Sequence, residues 1–196
     1  MSEMSMMWMR MPGQTWLSVG ASFLGMWTMM MAAMMLPSLV PTLMRYRRAM
    51  VVGAGYFFVW TLVGAIVFPI GVGLAAIPVP RPRIFVGLVV LIAASLQFTG
   101  WKARRLGWCR DGTGLAADAR SAWRYGLCLG VHCVESCAGL MAILLVIGVM
   151  NLPAMAAVTA AITLERLAPN GPRVARAVGT VGVAAGVCLI ALAAAT

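Results

Sequence analysis

Acidic side chains are almost missing from this chain: 5 Asp and Glu stand against 15 Lys and Arg, with one histidine, in 196 residues. No paired carboxylates, nucleophile–base pair or phosphate loop can be picked out, so an enzyme is the least favoured class. Charged residues make up 10%, where an ordinary soluble domain carries about 25%. That is too little polar surface to coat a soluble sphere, which makes lipid the expected solvent. Aromatic residues are 8%, and the basic residues cluster in the short segments between apolar stretches, as orientation signals do; with no nucleic-acid motif in sight, the net charge of +10 does not describe a nucleic-acid surface. A cleavable leader is not expected either: the segment up to Gly13 has little charge and the apolar run after it lacks a small-residue cleavage site. The 5 cysteines, Cys109, Cys128, Cys133, Cys137 and Cys188, do not space out as a secreted disulfide framework.

What is abundant is apolar. Hydrophobic residues reach 62% with 17 methionines, and the mean hydropathy is +0.94. The densest run is Met26-Trp27-Thr28-Met29-Met30-Met31-Ala32-Ala33-Met34-Met35-Leu36-Pro37, followed by Arg45, Arg47 and Arg48, the pattern of a membrane-spanning helix and its basic flank. Apolar stretches of about 20 residues predict an all-α, polytopic transmembrane helix bundle. It forms a single domain of six spans at 15–40, 50–77, 84–101, 125–149, 152–167 and 174–195. Pro69 and the glycines of the second span predict a local kink. Asn151-Leu152-Pro153 predicts a tight turn between spans four and five. The small-residue runs of spans five and six suit close helix approach in lipid.

Six spans put Arg45, Arg47, Arg48, Lys102, Arg104, Arg105, Arg110, Arg120, Arg124, Arg166, Arg173 and Arg176 on one side, and Arg10, Arg81 and Arg83 on the other. This bias predicts a protein of the cytoplasmic membrane with both termini outside the cytoplasm and the three basic connections inside. Direction then sets depth. Met30 to Met35, Cys128 to Met141, Tyr56, Trp60, Gln97, Thr99 and Glu165 are all expected within the depth of one leaflet.

On the fourth span, at about 100° per residue, two stripes emerge. Cys133, Cys137 and Met141 recur at i, i+4 and i+8. This soft sulfur stripe is expected to face Met30/Met34 or Met31/Met35 of span one, and it suits Cu(I), which accepts thiolate and thioether. Cys128, His132 and Glu135 share another face, and their mixed donors suit a divalent ion such as zinc. The plainer readings are that the methionines pack helix interfaces and the cysteines act as small hydrophobes. Glu135 resists a plain reading, because a carboxylate inside a span costs roughly 2.5–3.5 kcal/mol on insertion scales; His132, one turn away, is its nearest candidate partner. Cys109, beside Trp108 and Arg110, is either a thiolate favoured by cationic neighbours or a solvent-facing bystander. The methionine-rich stretch Met1 to Met11 reads as a Cu(I) scavenger outside the membrane or as a leader without a role.

The ordered set Trp27…Met30…Ala33-Met34-Met35-Leu36-Pro37-Ser38, Gly55-Tyr56…Trp60, Gln97-Phe98-Thr99-Gly100-Trp101-Lys102, Cys109-Arg110, Cys133…Cys137…Leu140-Met141…Gly148-Val149-Met150-Asn151 and Glu165 resembles a bacterial family described as predicted metal-binding integral membrane proteins. The resemblance covers most of the chain and implies a membrane bundle with a metal site. At the centre the sequence departs from the family's Cys-x-Gly-Cys-Cys-Trp run: Cys133-Val134-Glu135-Ser136-Cys137-Ala138 stands there, with a serine, a poor soft-metal ligand, in place of one cysteine.

The favoured function is therefore a membrane protein that binds or hands on a soft transition metal, copper rather than zinc, in the service of a membrane metalloenzyme. The alternative is a small structural or assembly subunit of a larger membrane complex. A transporter using Glu135 and Gln97 comes third, because no three-plus-three internal repeat is apparent. The expected partners are the lipid bilayer and a membrane protein, not nucleic acid.

Overall fold

The computed structural model describes residues 15–44, 46–75, 82–99, 118–148, 151–168 and 170–194. Among them the chain is all-α. Six α-helices run over Trp16–Leu43 (α1), Ala49–Ala75 (α2), Pro82–Ser95 (α3), Ala119–Ile147 (α4), Leu152–Leu167 (α5) and Gly171–Ala194 (α6), and a 3-10 turn over Leu96–Phe98 extends α3. Four of them, α1, α2 as far as Leu74, α4 and α6, are long and apolar enough to cross a membrane. The other two are shorter. With 14 residues in α3 and 16 in α5, they span about 21 and 24 Å, against a hydrocarbon core of about 30 Å.

Local chemistry explains the ends. Thr15 caps α1 by accepting from the Ser18 N–H at 3.2 Å, and Ser18 Oγ donates back to the Thr15 carbonyl at 2.8 Å. Asp118 accepts from Ser121 at the head of α4, and this bond holds its carboxyl below the usual value of 3.8. Between α4 and α5, Gly148 adopts φ +120°, a conformation suited to glycine. The Asn151 N–H then returns to the Gly148 carbonyl at 3.1 Å, and Asn151 Oδ1 caps α5 on the Ala154 N–H at 3.0 Å. Of the residues expected in the turn, Asn151 is the cap, while Leu152 and Pro153 already form the first turn of α5.

Tertiary contacts gather the chain into two units; their described parts are 15–75 with 118–130, and 82–99 with 131–194. In the first unit, α1 lays a single face inward: Phe23, Trp27, Met31, Met34, Met35, Ser38 and Leu39 are its buried residues. Trp27 Nε1 donates to the Trp60 carbonyl of α2 at 2.9 Å, and Thr28 and Thr61 approach to 3.4 Å. Both α1 and α2 run unbroken through their prolines, Pro37 and Pro41 in one and Pro69 in the other. Glycines let α2 and α4 touch backbone to backbone. A Cβ at Gly55 would sit 2.8 Å from the Trp123 carbonyl oxygen, and one at Gly126 would strike the carbonyl of Val52. We expect Gly126→Ala to destabilise the fold by about 1–3 kcal/mol, because neither backbone can yield. Gly25, where an added Cβ would meet nothing within 4 Å, is the control. Thermal unfolding in detergent should separate the two, and equal melting of the alanine variants would refute the close approach.

In the second unit, α3 packs along α6 by the same device. A Cβ at Gly186 would come 3.1 Å from the Leu91 amide nitrogen, and one at Gly182 would come 2.8 Å from Ala94 Cβ. A Cβ at Gly139 of α4 would come 2.9 Å from the Ala93 carbonyl oxygen. Much apolar surface remains outside. Leu17, Met29, Met50, Ile66 and Val181 are exposed, and only 11% of the most apolar stretch of α2 and of α6 is buried.

Candidate metal centre

On α4 the 3.6-residue period stacks Cys133 under Cys137, and the two sulfurs lie 3.8 Å apart. Both are buried, at 0% and 2% exposure, and both are thiols. Ser136 turns its hydroxyl back on the helix, donating to the Cys133 carbonyl at 2.9 Å, with its oxygen 3.7 Å from Cys137 Sγ. Met141 is buried one turn beyond Cys137. Two thiolates are soft donors that select Cu(I) over hard cations. At a bond length of about 2.3 Å, the value for zinc–thiolate, sulfurs 3.8 Å apart subtend roughly 110° at an ion. That bent arrangement leaves a side open to a third donor.

A cation accompanies the pair. Arg166, in the last turn of α5, is 6% exposed, and its Nη1 donates to Cys133 Sγ at 3.3 Å. The sequence pattern did not mark this residue. A basic side chain at the end of a span reads as an orientation signal and as a complement to the helix dipole, and only the fold shows it turned inward. Beside it in sequence, Glu165 is buried and accepts from Gln97 Nε2 at 3.2 Å, so two residues expected at one depth on α5 and at the end of α3 do meet.

The mixed stripe behaves differently. His132 Nδ1 and Glu135 Oε2 lie 3.2 Å apart, so the intrahelical partner expected for Glu135 is among those it has. Cys128 is exposed. Among the described residues no three of His, Cys, Asp and Glu gather as a group able to hold a metal ion. Met30 and Met34 belong to the first unit. Met34 is buried and Met30 half-buried, while Met31 and Met35 carry the inward stripe. Cys109 and the methionines of residues 1–11 lie outside the described residues.

No curated protein and no solved structure matches the chain. The sequence profile of the PpoB2 copper chaperone family does, over residues 24–189, from the first helix into the last and across the thiol pair. The chain belongs to this copper chaperone family, and its role lies in copper handling.

Proposed function

We propose that the protein is a six-span bundle of the bacterial cytoplasmic membrane that takes up Cu(I) on Cys133 and Cys137 and hands it to a membrane metalloenzyme. The observation that carries this reading is the pair of buried thiols 3.8 Å apart in a chain of a copper chaperone family. Copper is the cargo. Each thiol would give up its proton to water as a sulfur–copper bond forms, and Met141, one helical turn beyond Cys137 on the same face, would supply a thioether as the third donor. Release to a partner proceeds by exchange, the acceptor's ligands replacing these sulfurs one at a time.

Thioethers of α1, Met30 and Met34 among them, form a second set of soft donors for the same cargo. His132, Glu135 and Cys128 are the donors that a divalent ion such as zinc would select. Lipid as the surrounding solvent is supported by the exposed apolar faces of α2 and α6. Six spans require α3 and α5 to cross as well; α3 with its 3-10 extension reaches Phe98, and local thinning of the bilayer offsets the remaining shortfall. The basic bias of the connections supports both termini outside the cytoplasm.

The test is metal analysis after anaerobic loading with Cu(I) and removal of unbound ion. Wild type should retain about one copper per chain, and Cys133→Ser/Cys137→Ser should fall to background, because a hydroxyl is a poor soft-metal ligand. Equal copper in both proteins would refute the thiol site.

A further inference from the structure

A buried guanidinium resting on a metal-binding sulfur has a consequence for which ions the site accepts. Arg166 keeps its positive charge in the unit's interior, since its side chain cannot be deprotonated in proteins, and a charge held there is costly unless it is compensated. One of its partners is Cys133 Sγ, at 3.3 Å. When two thiolates bind Cu(I), two negative charges meet one positive, and the complex carries a net charge of −1. When the same thiolates bind a divalent ion such as Zn(II), the complex is neutral. The guanidinium therefore makes a charge-assisted hydrogen bond to a net anion in the first case and faces a neutral group in the second.

We infer that Arg166 is a specificity-determining residue of the thiol pair, selecting a monovalent soft ion over a divalent one by compensating the charge that only the monovalent complex leaves. The inference rests on the thiol-pair reading above. Charge selection adds to the preference that sulfur itself has for copper. It also acts where donor softness discriminates poorly, since zinc too is readily held by cysteine thiolates.

The full-length protein in detergent should be titrated with Cu(I) against a chromophoric Cu(I) chelator, and separately with Zn(II) against a zinc indicator. Arg166→Gln keeps a hydrogen-bond donor and loses the charge. Its Cu(I) affinity should fall about 10- to 100-fold, the worth of a hydrogen bond to a charged group, while its Zn(II) affinity stays level or rises. Arg166→Lys, which keeps the charge, should remain within about 10-fold of wild type for Cu(I). Arg166→Met, which fills the space without a donor, carries the same comparison if the glutamine variant fails to fold.

Opposite responses of the two metals support charge selection, because a merely structural arginine would weaken both alike. Parallel losses, or no change for either metal, overturn the role of Arg166 while leaving the cysteine site standing. The Cys133→Ser/Cys137→Ser protein, run in the same titrations, separates the two failures: copper bound as tightly there as in wild type overturns the thiol site and the selectivity built on it.

Discussion

Replacing Cys133 alone by serine should lower Cu(I) affinity at least about 100-fold, since merely removing a partner of a metal ligand costs 10–100-fold. Cys137→Ser should do the same, and the double variant should be little worse than either single one. The two sulfurs are 3.8 Å apart, and on the proposed reading they serve one ion, so the first substitution would already destroy the chelate and leave the second nothing to remove. Such non-additivity is the mark of residues acting as a unit. The measurement is a Cu(I) competition titration on the three variants and wild type. Two single losses that sum to the double loss would describe independent sites, one per cysteine, and would sink the shared centre. Folding is not expected to suffer much, because serine is close in size to cysteine and Ser136, beside the pair, shows how a hydroxyl satisfies itself on α4 by donating to a carbonyl three residues back.

The largest effect on stability should come from Trp27. Its indole is 1% exposed. It lies beside Phe23 with ring centroids 5.8 Å apart, donates to the Trp60 carbonyl at 2.9 Å, and fits over Gly64, where a Cβ would come within 2.8 Å of the indole nitrogen. Trp27→Ala should cost about 3–5 kcal/mol. A lipid surrounding would not cancel this: helix association in a bilayer relies on van der Waals packing, and an emptied space between α1 and α2 loses those contacts whatever lies outside. Trp27→Phe keeps much of the ring and loses the hydrogen bond, and should cost about 1 kcal/mol for that bond together with a smaller cavity term. Thermal unfolding in one detergent compares the three. If alanine and phenylalanine are equally harmful, the hydrogen bond rather than the packed indole is what matters. If neither is harmful, Trp27 does not anchor α1 on α2.

Much of the chain's organisation follows from residue order alone. Apolar stretches in a chain with 10% charged residues have few ways to satisfy their backbone groups other than helices, and six helices form within a few residues of the expected stretches. Contacts inside one helix are legible for the same reason. Spacings of three and four bring side chains onto one face, so Cys133 meets Cys137, and His132 meets Glu135, without help from the rest of the fold. Helix ends are less legible. The first stretch is expected to end at residue 40, yet α1 continues through Pro41 to Leu43, since the loss of a single hydrogen bond at a proline can be tolerated where neighbouring groups re-satisfy the backbone.

What residue order did not decide was the rotation of each helix about its own axis. Met30 with Met34 and Met31 with Met35 are equivalent on a helical wheel. Packing of α1 against α2 turns Met31, Met34 and Met35 inward and leaves Met30 half-buried. Arg166 and Glu165 are neighbours at the end of α5, and no periodicity distinguishes a charge at the water interface from one folded back onto sulfur. Contacts separated by 33 and 68 residues, Arg166 to Cys133 and Gln97 to Glu165, depend on how α5 lies against α4 and α3. In the same unit α3 approaches α6 through glycines, where the absence of a side chain, rather than any chemical group, decides how closely two backbones approach.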